Sequence, residues 1–394
     1  MRYVVLGGAG AMGRITIRDL FETDPDAEII IADFNLKNAE TLAASFRSRR
    51  VKAVFADIKN RQSLVKAFQG SFVVINSTPY VFNVEVMRAA LKARVHYVDL
   101  GGLFHVTRKQ LQLHNQFKKA GLLALLGIGA APGITNIMAD HAASQLDRVQ
   151  EIHIRLGGKD LTRYDRDVPI SVSYSLDTIL DEFSMPPAVF HKGRFGFVEP
   201  MSGREEHLFP SPVGIQKPMH TIHSEVATLP LSYKDKGVKE VSFKIAFDEE
   251  FTERVRFLRD LGLASQKPVQ NGQINFVPRK ILLKLISELP KGKPVGPIRQ
   301  YEVIRSIVLG KEKGKKVCWL VDCHTKGMPQ WGIGLDIDTG APPSIAAQMI
   351  ARGEIDAFGA LPPEKVVPPQ PFFKELARRG MTVKTKKVAG WSFL

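Results

Sequence analysis

At 394 residues, 44% hydrophobic and 24% charged, the chain has the make-up of a globular protein of more than one domain, since domains usually run to about 100–200 residues. Its longest nearly uncharged apolar run, 121–134, spans 14 residues and is broken by Gly127, Gly129, Pro132 and Gly133, short of the roughly 20 that a membrane-spanning helix needs. The net charge of +15 is spread over scattered Lys and Arg, with no arginine-rich arm or nucleic-acid motif, so a solvated basic surface is expected and specific nucleic-acid binding is not. From the start, short β-branched runs at 2–6, 28–33, 51–55, 72–76, 96–100 and 122–126 alternate with helical stretches at 11–21, 36–49, 62–68, 81–92 and 107–119. That alternation predicts crossovers and a parallel sheet, and six strands fit the doubly wound Rossmann fold.

From about 149 the rhythm changes. Polar and apolar residues alternate at 151–156 and 239–247, while 301–309 and 315–323 flank a Gly/Lys-rich turn. These predict an antiparallel sheet with helices at 249–261 and 279–289, that is, an α+β second domain. The segment 194–214 reads as loop, and the tail returns to helix at 343–352 and 372–379 across a proline-rich stretch. Cys318 and Cys323 lie five apart on one expected strand, which points their side chains to opposite faces as buried, reduced thiols. No secretory leader pattern precedes the first strand, so a cytoplasmic protein off the membrane is expected.

Gly8-Ala9-Gly10-Ala11-Met12-Gly13 fits G-x-G-x-x-G, and it follows a strand and opens a helix, the context the motif requires. Gly8 permits the tight turn, Gly10 lets a diphosphate approach bare backbone, and Gly13 lets the helix pack close to the strand. The phosphates would meet the free amides of the helix start, at Ala11 and Met12. Asp33 ends the second strand 20 residues beyond Gly13, where a carboxylate can accept from ribose hydroxyls and repel a 2′-phosphate. No Arg follows until Arg47, so NAD is expected over NADP; the plain reading is a glycine turn beside a surface aspartate.

Other strand ends face the same crevice. Asp57 can reach an adenine edge or cap the next helix, and Asn76 and Thr78 can line the nicotinamide ribose or form a plain turn. Asp99, before Gly101-Gly102, can bind a substrate ammonium, act as a base, or cap its own turn. The stretch 127–136, with Pro132 at its centre, opens a helix whose positive end suits an anionic group. In the second domain His220, His223 and Glu225 form a dense titratable cluster suited to general acid–base chemistry, with packing and metal ligation as the competing readings; no further ligand motif supports a metal. Arg163, Arg166 and Arg279 are candidates to pair with a substrate carboxylate.

Together the glycine loop, Asp33, Val98-Asp99-Leu100-Gly101-Gly102, Ala131-Pro132-Gly133-Ile134-Thr135-Asn136, His220-Thr221 and Pro278-Arg279 resemble the saccharopine dehydrogenase family, with the nearest likeness to its lysine 6-dehydrogenase branch. The resemblance implies a Rossmann domain (1–135), an α+β substrate and dimerisation domain (136–335) and C-terminal helices (336–394) packed back on the first. It also implies a cleft between the domains, a homodimer, and hydride transfer at a C–N bond of an amino acid or amine. Asp99 and the His220 region would hold the ammonium or take its proton. Where lysine 6-dehydrogenases carry a Gly- and Thr/Ser-rich stretch, this chain has Ile222-His223-Ser224-Glu225, which opens the substrate to another amino acid, a diamine or a carboxylated polyamine. A non-catalytic NAD-binding sensor is the reading from another class.

Overall fold

The computed structural model describes residues 1–170 and 175–391. Strands β1 (Arg2–Leu6), β2 (Glu28–Asp33), β3 (Val51–Phe55), β4 (Val73–Asn76), β5 (His96–Asp99) and β6 (Leu123–Leu125) form a parallel sheet in the order 3-2-1-4-5-6, the doubly wound dinucleotide arrangement. Successive residues of β1 enter different cores, Tyr3 and Val5 on one face and Val4 and Leu6 on the other. Helices therefore cover both faces, which is why the strands read as unbroken apolar runs. Helix α1 (Ala11–Thr23) follows β1 directly. The helix expected at 107–119 is split into Leu103–Leu111 and His114–Ala120, with Leu113 turned into the core at the break.

The second sheet is mixed rather than antiparallel. Its long strands Arg148–Asp160, Gln300–Glu312 and Lys315–Thr325 are antiparallel neighbours, but Glu240–Ile245 lies parallel to Arg148–Asp160. Polar–apolar alternation reports one buried face and says nothing of strand direction. The hairpin turns at Lys313 and Gly314, both at positive φ (49° and 78°), as a two-residue turn between right-twisted strands requires. The segment expected as loop from 194 carries a strand, Arg194–Phe197, paired with Ala188–His191. One face of this sheet, through Ile154, Leu156, Phe243, Ile304 and Val308, joins the core shared with the first sheet.

The C-terminal helices return to the first sheet, as the family likeness implies. Helix Pro342–Ala351 packs on α1, and Gly359–Leu361 adds a seventh parallel strand beside β6. The chain then crosses back, and Met381–Ala389 pairs with Lys315–Thr325 at the edge of the second sheet. Cys318 and Cys323 are free, buried and on opposite faces, Cys323 in the shared core and Cys318 in a small cluster on the outer face. Among the described residues no helix is long and apolar enough to cross a membrane.

Candidate active site at the edge of the nucleotide sheet

The glycine loop is tight enough to demand its glycines. A Cβ on Gly13 would meet the Gly7 carbonyl oxygen at 2.6 Å and Gly8 Cα at 2.7 Å; one on Gly8 would meet Ile17, Ile31 and the Val5 carbonyl at 2.9 Å. Gly10 is the extended N-cap of α1, without a side-chain cap and with no acidic residue in the first turn, so the positive end of α1 is open to an anion. Asp33 Oδ2 accepts from Ala9 N at 3.0 Å and Oδ1 from Asn35 N at 2.9 Å, which fixes the carboxylate at the rim of the loop with further lone pairs outward. Beside it the exposed rings of Phe34 and Phe55 stand 5.7 Å apart, a pair the sequence reading passed over. These features fit a dinucleotide. Asp57 closes a local turn by accepting from Lys59 N at 2.9 Å, ahead of a helix capped by Asn60.

Beyond the ends of β4, β5 and β6 lies a cavity of about 330 Å³. Met12, Thr78 and Pro132 line it from the nucleotide side, and His223, Glu182 and Glu302 from the second unit. Pro132 is wedged over the two glycine turns; a Cβ on Gly101 or Gly127 would strike its ring at 2.8 and 2.7 Å. Asn76 is buried behind the wall, where it accepts from Thr78 Oγ1 at 2.6 Å and donates to Asn83 Oδ1 at 2.9 Å. It thus sets Thr78 rather than facing the cavity.

Asp99 is also behind the wall. Its carboxylate accepts from Tyr97 Oη (2.9 Å), Gly101 N (2.9 Å), Gly127 N (2.7 Å) and Gln110 Nε2. Burial pushes its carboxyl up, and these donors oppose that. Such a residue ties two loops together, and it does not line the cavity.

The three titratable residues of the second unit separate. His220 belongs to the short strand Met219–His220, its Nδ1 3.2 Å from the Phe243 carbonyl, and stands off the cavity near Arg155, Glu205 and Lys244. Burial, Lys244 and Arg155 pull its pKa down to about 4. His223 faces the cavity, stacked on Phe243 at 3.8 Å between centroids and 7° between planes. Glu225, fully buried at the start of helix Glu225–Ser232, meets His223 Nδ1 at 2.7 Å and accepts from Thr135 Oγ1 at 2.8 Å. Glu182 Oε1, from helix Leu176–Ser184, lies 4.0 Å from His223 Nε2. Burial alone would lower the imidazole pKa; the Glu225 charge and hydrogen bond, with Glu182, raise it above its ordinary value.

Sequence reasoning missed four cavity carboxylates: Glu182, Glu302, Asp336 and Asp338. One signal was available: Glu302 shares the inward register of Ile304, Ser306 and Val308, a charge where the pattern calls for an apolar residue. Among the described lining residues there is no Lys or Arg. Arg163 and Arg166 are exposed away from the cavity, and Arg279 is buried against Asp181 and Asp177.

The description "Saccharopine dehydrogenase NADP binding domain" matches residues 3–125, and "Saccharopine dehydrogenase C-terminal domain" matches 129–381. The chain belongs to the saccharopine dehydrogenase family. It is similar along nearly its whole length to carboxyaminopropylagmatine dehydrogenase of Synechocystis (23% identical over 398 residues, 97% of this chain and 96% of the relative). Carboxynorspermidine synthase of Vibrio cholerae is 24% identical over 403 residues, 95% and 94% of the two chains. The apo saccharopine dehydrogenase (L-Glu forming) of Saccharomyces cerevisiae shares the fold, with a TM-score of 0.73 at 19% identity over 98% of this chain and 100% of that one. The family is one of nicotinamide-dependent oxidoreductases, as the sequence implied. Its first unit is described as NADP-binding, so the expected preference for NAD does not follow from membership.

Proposed function

We propose that the protein is an NAD-dependent dehydrogenase that interconverts a carboxylated polyamine and its imine. The observation that carries the reading is the cavity itself: a histidine oriented by a buried glutamate, among carboxylates and with no lysine or arginine among the described lining residues. A polycationic amine suits such a wall, and both full-length relatives carry carboxylated-polyamine names. A nicotinamide dinucleotide held at the glycine loop would supply or take up the hydride. His223 Nε2 takes the proton of the secondary amine as its α-carbon is oxidised, and returns it to nitrogen in the reverse direction. Glu225 fixes the ring tautomer and stabilises the imidazolium. Phe243 holds the ring plane. Asp33 would receive the adenosine ribose, and Phe34 with Phe55 the base.

The test is nicotinamide absorbance with carboxynorspermidine, carboxyaminopropylagmatine, saccharopine and lysine, each with NAD and NADP. Turnover of a carboxylated polyamine in preference to saccharopine and lysine is expected; turnover of lysine alone, or of none, overturns the reading. Asp33→Ser should shift the NAD/NADP ratio of kcat/KM toward NADP by about tenfold or more, the scale of one charged contact. Wild-type protein that already prefers NADP would remove the NAD assignment.

A further inference from the structure

Three of the cavity carboxylates have no part in the proton transfer. Glu302 lies on strand Gln300–Glu312, and Asp336 and Asp338 lie at the short helix Ile337–Gly340, which packs against α1. Asp338 is only 4% exposed. Its Oδ1 accepts from Thr339 Oγ1 at 3.1 Å, while its Oδ2 has no donor in good hydrogen-bond geometry; the Thr325 hydroxyl, on the residue paired with Glu302, and the Glu302 carboxyl are its neighbours. The Glu302 and Asp338 carboxyls lie against one another, and burial pushes the carboxyls of all three up, that of Asp336 to about 7.

A buried carboxylate without a donor is costly unless a cation or proton answers it. Here acids from two elements converge on a cavity whose described lining residues include no Lys or Arg to answer them. The spacing is also informative. Glu302 pairs across from Gly158, and Ile245 from Leu156, so Glu302 stands two strands away from the Glu240–Ile245 strand that carries Phe243 beneath His223. All these side chains share the inward face, but Phe243 pairs with Ile154, four residues along from Gly158, so the backbone positions of Phe243 and Glu302 stand roughly 16 Å apart, two strand spacings across and four residues along. His223 and Glu302 both reach into the cavity from these positions, so the gap between their polar ends is shorter than the backbone separation and within the span of an alkyl amine chain.

We infer that Glu302, Asp336 and Asp338 form a subsite for the distal cation of the substrate, an ammonium or a guanidinium, at one end of a chain whose reacting C–N bond lies at His223. An ammonium offers three donors and a guanidinium five, enough to satisfy Asp338 Oδ2 and its neighbours at once. The inference rests on the proposed amine-dehydrogenase reading and adds to it the specificity device: the site selects substrates by a charge remote from the chemistry.

Two measurements test it. In the first, carboxynorspermidine is compared with its analogue acetylated on the distal amine. Wild-type kcat/KM should favour the free amine by about 100-fold, since a buried carboxylate facing a neutral amide is left unpaired. Asp338→Asn and Glu302→Gln should each shrink that ratio to about fivefold or less. A wild-type ratio near one, or a ratio unmoved by either variant, overturns the subsite. In the second, agmatine is titrated calorimetrically into wild-type protein, Asp338→Asn and Asp336→Asn. Wild-type binding that weakens by about tenfold or more in the variants supports the subsite even if no carboxylated polyamine is turned over, in which case only the functional reading fails. No agmatine binding by a protein that does oxidise carboxynorspermidine overturns the subsite alone.

Discussion

An imidazole between two carboxylates can serve as a base only while it is neutral, and Glu225 and Glu182 both raise the pH at which it becomes so. The oxidative rate should therefore climb as pH rises through the His223 pKa. In Glu225→Gln one negative charge is lost, so that limb moves to lower pH; a limb that stays in place would show that another group is being titrated. His223→Gln should lower kcat by about 10²–10⁴-fold with a smaller change in KM, the range for losing a general acid–base. Equal losses in thermal stability and activity would instead mark a packing residue. His223 and Glu225 were legible because they are two positions apart, and local spacing survives folding. Glu182, Glu302 and Asp338 come from three segments that only the fold brings to one wall. Asp99 shows the converse: a carboxylate before a Gly pair looks like an active-site acid in one dimension, yet four donors from β5, two loops and a helix enclose it.

At the scale of elements, the parallel sheet was readable nearly to the residue, because strands covered on both faces leave continuous apolar runs and the glycine loop fixes where β1 ends. Met381–Ala389 escaped notice for a physical reason: it is an edge strand with Lys384, Lys386 and Lys387, a composition that deters pairing with other chains and so hides its pairing within this one. The outer face of the second sheet carries a further prediction. His207 and His220, beside Arg155, Lys244 and Arg305, are each held at a pKa of about 4 by burial and neighbouring cations. A pKa depressed below the unfolded value near 6.5 means that the unfolded chain takes up protons first as pH falls. Stability should thus be full above about pH 6.5 and decline progressively toward pH 4. Thermal unfolding across that range checks it, and His220→Gln should flatten part of the decline. A pH-independent melting temperature between 6.5 and 4 would contradict the assignment.

For the whole molecule, the question is what keeps the start of α1 aimed at the cleft, since its first turn is the proposed dinucleotide cradle and it carries no side-chain cap of its own. The C-terminal segment answers it at three points. Thr16 Oγ1 donates to the Gly340 carbonyl at 2.7 Å, Ser344 Oγ to Asp19 Oδ2 at 2.6 Å, and Arg379 grips both oxygens of Asp19 at 2.6 and 2.9 Å while also pairing with Glu375. Asp19 and Arg379 are essentially buried, so the pair is isolated from water and salt. Removing one partner strands the other: Arg379→Met should cost about 3–5 kcal/mol of unfolding free energy. Replacing both, as in Asp19→Leu with Arg379→Met, should recover much of that loss, because it leaves no fully buried charge orphaned and Glu375 keeps its pairing with Arg378. The same segment carries Asp338 and Thr339 into the cavity wall, so the clamp couples cofactor helix and substrate subsite through one stretch of chain. Arg379→Met should therefore weaken nicotinamide dinucleotide and amine binding together at temperatures where the protein remains folded. Calorimetric titration of each ligand decides the point, and loss of one affinity with the other intact would mean that the latch holds the fold but not the cleft.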